Sequence, residues 1–134
     1  MEIQVAALCD SAADYEGKLC LLGAFDTIVA ATLPAIHPQC ALALRIVFRK
    51  EEEGAHHLRL TFVDEDGQPV VPPLETPMNV VLPTNFFFSA RNVILNLQQL
   101  ELPRPGFYEI NLEIDGKPAI SIPLQVLLAP EAGS

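Results

Sequence analysis

The chain has 134 residues, half of them hydrophobic and 19% charged, which excludes a disordered chain and suits one globular domain. Eight Lys and Arg against 17 Asp and Glu give a net charge of −9. A field of that sign repels phosphate backbones and anionic lipid heads, so nucleic acid and bare membrane are excluded as expected partners.

The first expected strand is the short apolar run Ile3 to Leu8. Asp10 to Asp14 reads as a polar, small-residue connection, where Ser11 could cap a helical turn. Met-Glu-Ile-Gln-Val lacks the basic start of a signal peptide, and Asp10 interrupts its apolar run. Lys18 to Leu22 reads as a second strand, broken at Gly23 by a bulge or a close backbone approach, and Phe25 to Val29 continues extended. Leu19 to Ile36 is apolar enough to test as a membrane span. Asp26 near its middle would cost about 2.5–3.5 kcal/mol there, and Thr27, Ile28 and Val29 favour a strand. The expectation is a soluble, cytoplasmic protein. Leu33 to Pro38 reads as a connection because of its two prolines.

Cys40 to Arg49 alternates, with Leu42, Leu44, Ile46 and Phe48 on one face and Ala41, Ala43, Arg45, Val47 and Arg49 on the other. After the turn Glu51 to Gly54, His56 to Val63 alternates again, with Leu58, Leu60 and Phe62 inside. Asp64-Glu65-Asp66-Gly67 is a second acidic turn. Four prolines between Gln68 and Pro77 restrict any strand there to an edge. Met78, Val80 and Leu82 restore alternation before Pro83-Thr84-Asn85 turns the chain into Phe86-Phe87-Phe88. Arg91 to Leu100 fits a helix or a strand; two asparagines and a valine are weak helix formers, so strand is preferred.

The clearest element is the hairpin from Leu102 to Leu128. Tyr108, Ile110, Leu112 and Ile114 share one face, Asp115-Gly116 supplies the positive-φ turn, and Ile120, Ile122, Leu124, Val126 and Leu128 alternate on the return. The sum is an all-β, single antiparallel β-sandwich of about seven to eight strands over residues 1–130, with residues 131–134 as a frayed tail.

Two resemblances follow. Pro105-Gly106-Phe107-Tyr108-Glu109-Ile110 resembles the entry to a late strand in immunoglobulin-like sandwiches, which implies a tyrosine corner, its hydroxyl bonded back to backbone. The usual cysteine two residues after the tyrosine is Ile110, so no inter-sheet disulfide is implied. Asp10 with Gly17-Lys18-Leu19, Leu22 to Ile28, Leu33 to Pro38 and the late hairpin together resemble a prokaryotic domain-of-unknown-function family of about this length. That resemblance implies a bacterial or archaeal single-domain protein and carries over no activity and no functional residues.

Phe25, Asp26 and His37 are candidate ligand-binding residues, since acid and imidazole could meet at one end of the sandwich. Satisfaction by local backbone is the stronger reading of the same residues. His37 with Cys40, and the pair His56-His57, invite a metal, but adjacent strand residues point to opposite faces. No metal and no cofactor are expected. Cys9, Cys20 and Cys40 are odd in number and without a C-x-x-C pair, so they read as inert core thiols of a reducing compartment. The acidic turns lack the spacing of a calcium loop. Phe86, Phe87 and Phe88 are candidate partner-binding residues: three rings in an extended segment either fold into the core or stand exposed for a partner or a second copy. The expected role is a non-enzymatic protein-interaction or structural module, with self-association open; the alternative is a small-ligand or metal-ion domain.

Overall fold

A computed structural model describes residues 1–130; the expected tail, 131–134, lies outside the described residues. The protein is all-β, with nine strands among the described residues rather than seven or eight: β1 (Glu2–Tyr15), β2 (Lys18–Ala24), β3 (Thr27–Ala30), β4 (Ala35–Arg49), β5 (Gly54–Asp64), β6 (Leu74–Val80), β7 (Phe88–Leu102), β8 (Gly106–Ile114) and β9 (Lys117–Leu128). The additional strand is β3. It leaves the first sheet after Phe25 and runs parallel to β9 over Thr27↔Gln125 to Ala30↔Leu128.

The strands form two sheets, ordered β2-β1-β4-β7 and β3-β9-β8-β5-β6. One apolar cluster joins them. Leu42, Leu44, Ile46 and Phe48 of β4 meet Leu58, Leu60 and Phe62 of β5, Ile110, Leu112 and Ile114 of β8, and Leu124 and Val126 of β9. This is the alternation expected of strands with one covered face. Asp115 and Gly116 both take positive φ, +54° and +79°, and close the β8–β9 hairpin. Arg91 to Leu100 is strand throughout and pairs antiparallel with β4. β6 is an edge strand, as Pro77 within it requires.

Several expectations are corrected. Asp10 to Asp14 is not a connection but the second half of β1, laddered to β2 from Ser11↔Leu22 to Asp14↔Leu19. That hairpin bends back over the outer face of the first sheet. Arg45 Nη1 donates to the Gly17 carbonyl at 2.9 Å, and Asn92 Nδ2 donates to Asp14 Oδ2 at 2.9 Å. Cys9, Ala41 and Ala43 are buried beneath it with Ala12, Leu19 and Ile94 around them. The small residues on the outer side of β4 therefore pack instead of facing water. Leu33 to Pro38 is not all connection either, since β4 begins at Ala35. Pro38 is tolerated because β1 reaches only Ala41 on that side of β4, and because Gln99, opposite it, leaves the extended conformation with φ +51° while the register on either side is kept. Cys20 is an exposed thiol, unlike the buried Cys9 and Cys40. Leu128, placed on the inner face of the hairpin by period, is 52% exposed beyond the end of β8.

Gly23 shows the expected close approach. Its φ is +71°, and a Cβ there would lie 2.9 Å from Asp10 Cγ. No other residue type fits that backbone without strain or a displaced Asp10.

Candidate functional site

The aromatic segment falls where the connection after β6 enters β7. Val80 and Leu82 anchor that connection in the core, and Asn85, with φ +70°, turns it outward. Phe86, Phe87 and Phe88 are then 54%, 85% and 51% exposed. Of the two readings open from sequence, the exposed one holds for all three rings. Phe88 is also the first residue of β7, opposite Arg49 of β4. A shallow groove beside the rings is lined by Arg45, Asn85, Ser89 and Ala90. Arg91 Nη2 holds the Val81 carbonyl at 3.0 Å, and the Val81 side chain is itself exposed. The three exposed rings line that groove together and make an apolar patch of the kind that interaction surfaces carry.

The second candidate set is only partly assembled. The rings of Phe25 and His37 meet, with centroids 5.3 Å apart at 38°. Asp26 turns elsewhere: its Oδ1 accepts the Thr27 hydroxyl at 2.8 Å, and its carbonyl accepts the Gln125 amide at 2.9 Å. No hydrogen bond or ion pair joins Asp26 to His37 among the described residues. No group of three His, Cys, Asp or Glu side chains suited to a metal occurs among the described residues. The acidic turn at Asp64 is occupied by its own chain: Asp64 Oδ1 accepts the Asp66 and Gln68 amides, and Arg104 bridges Asp64 Oδ2 and Asp66 Oδ2 at 3.0 and 3.2 Å.

A cluster that the sequence did not reveal lies at the end of the sheets bearing the β8–β9 turn. His56 Nδ1 is 2.7 Å from Asp115 Oδ2, and Nε2 is 2.6 Å from the Glu52 carbonyl. Both partners are acceptors, so both ring nitrogens must carry hydrogen for both bonds to form. The Glu52 carbonyl first, and then the Asp115 carboxylate, hold the His56 pKa above its ordinary value. Asp115 is held below the usual carboxylate range by His56 and by the His57 amide, which donates to Asp115 Oδ1 at 2.9 Å. In sequence Asp115 shows only as the first residue of the tight turn, with nothing that ties it to His56.

The thiols are chemically quiet where they are buried. Burial pushes Cys40 up to about 11, and burial with the nearby Asp10 charge raises Cys9. Cys9 Sγ donates to the Ala41 carbonyl at 3.4 Å.

The fold and its surface thus define an all-β protein of two sheets with an exposed aromatic segment at the entrance to an edge strand. A family model described as a family of unknown function, DUF6941, matches residues 4–127, nearly the whole chain, and the protein belongs to that family. No curated protein matches it. No helix among the described residues is long and apolar enough to cross a membrane.

Proposed function

We infer that the protein is a non-enzymatic interaction module that docks a partner protein through Phe86, Phe87 and Phe88. One observation carries this reading: three consecutive phenylalanines are turned to solvent, the middle one 85% exposed, on a chain that buries Phe48, Phe62 and Tyr108 and exposes Tyr15 and Phe107 only singly. Leaving phenyl rings in water forgoes roughly 1.5–3 kcal/mol each relative to burying them, which a partner's surface would recover. The scaffold is an immunoglobulin-like sandwich. Supporting that, Tyr108 Oη donates to the Arg104 carbonyl at 2.6 Å and accepts the Arg104 amide at 3.2 Å, the corner geometry of such folds. A reducing, cytoplasmic setting accords with Cys9 and Cys40 packed as free thiols.

The test compares the protein with Phe87→Ser in sedimentation and in co-purification from its own cells. Loss of a specific partner or of a dimer, with the melting temperature unchanged, is the expected result. Unchanged mass together with an unchanged set of co-purified proteins refutes the reading.

A further inference from the structure

The strand that begins at Phe88 leaves one whole edge unpaired. β7 is laddered to β4 from Ala35↔Leu102 to Arg49↔Phe88 and then ends its sheet. Among the described residues no turn or loop backbone hydrogen bond reaches residues 89–102 from the other side. An open strand edge is a row of N–H donors and C=O acceptors, and the group that satisfies it is a second extended backbone.

The other end strands are poor templates. β6 carries Pro77 within its ladder, β3 spans four residues, and β2 carries Lys18 and the left-handed Gly23. β7 has no proline and no lysine, and Arg91 and Glu101 are its only charges. The left-handed φ of Gln99, +51°, interrupts its extended backbone, so residues 88–98 form the usable edge. The aromatic segment stands at the mouth of that edge.

Charge selects the occupant. The chain carries −9 overall, and each of its five arginines has a partner within the chain, a carboxylate for Arg49, Arg59 and Arg104 and neutral groups for Arg45 and Arg91. Arg45 binds Gln4, Gly17 and Asn92; Arg49 lies by Glu2, Arg59 by Glu75 and Arg104 by Asp64 and Asp66; Arg91 binds the Val81 carbonyl. Over the whole chain the surplus is acidic, with Arg91 the one charge on residues 88–98, and a second copy would bring the same overall sign against it. We propose that the free edge of β7 takes an extended, basic segment of a partner protein as an added strand, with an apolar side chain of that segment seated on Phe86–Phe88. This rests on the reading of the phenylalanines as a docking surface and adds the partner's conformation and charge.

The probe is a library of peptides about ten residues long, alternating apolar and polar positions and running from strongly acidic to strongly basic. Basic members should bind at least about tenfold more tightly than acidic ones, and should shift the backbone amide resonances of residues 89–98. The best binder is then remade with N-methyl groups on alternate amides, in two phases. The phase that removes the donors facing β7 should lose about tenfold or more in affinity, and the other phase should bind as before. No basic member binding, equal affinity across the charge range, or indifference to both methylation phases overturns the proposal. Shifts confined to residues 86–88 overturn the strand addition while leaving the aromatic docking surface standing. A doubled mass with protected β7 amides in the protein alone gives the edge to a second copy and overturns it too.

Discussion

His56→Gln is expected to cost the protein stability in acid and little in base. The imidazolium joins Asp115 of the β8–β9 turn to the Glu52 carbonyl of the 3-10 turn Lys50–Glu52, while its ring lies 5.0 Å from that of Phe48. Neutral imidazole retains one N–H, so loss of the proton removes one of the two bonds. The Asp115 side chain is 47% exposed, so solvent screening reduces that bond from the 1.5–3 kcal/mol of a charged hydrogen bond to about 1 kcal/mol. In a chain of this size that is a change in Tm of about 3–5 °C. The folded pKa of His56 is raised, so its contribution is complete below the unfolded value of about 6.5 and is lost as pH rises through the folded pKa. That of Asp115 is lowered, so its contribution is complete above about 3.9 and is lost as pH falls through the folded pKa. The pair is therefore at full strength between those two values. The charges bearing on it from other elements are Glu52, the Met1 amine paired to Glu52, and the neighbouring His57. The assay is urea or thermal unfolding of both proteins from about pH 5 to pH 9, taken as a difference curve. A difference that is flat across this range, or that grows with pH, refutes the double-donor geometry.

Three further outcomes test other parts of the structure. Tyr108→Phe strips the hydroxyl from both the carbonyl and the amide of Arg104, and urea unfolding should register a loss of about 1–2 kcal/mol with an unchanged m-value. Gly23→Ala should destabilise by about 1–2 kcal/mol, and pairing it with Asp10→Ala should recover the steric share; strictly additive effects would contradict the contact between them. Under native conditions a small alkylating reagent should modify Cys20 quickly and Cys9 and Cys40 only on unfolding, so mass spectrometry should show one adduct at early times; rapid labelling of Cys40 would contradict its burial.

Wherever a strand hides one face, period two recorded it in the chain. Leu42 to Phe48, Leu58 to Phe62 and Tyr108 to Ile114 are buried on the face that their alternation assigns, and Asp115-Gly116 turns the chain where positive φ is cheapest. Exposure of the phenylalanines was not legible, because three identical rings in a row carry no period. Nor was the continuation of β1 through Asp10 to Asp14, because those polar and small residues pair with β2 in a hairpin whose tip is held by Arg45 and Asn92, far away in sequence. The amino-acid sequence by itself determined the class of the protein, through local alternation and turn chemistry that each strand carries in its own residues. Only the tertiary structure decided which strands became sheet edges, which small residues were covered by the folded-back hairpin, and that His56, Glu52 and Asp115 converge. Those are relations between distant segments, and no single segment encodes a partner that reaches it only after folding.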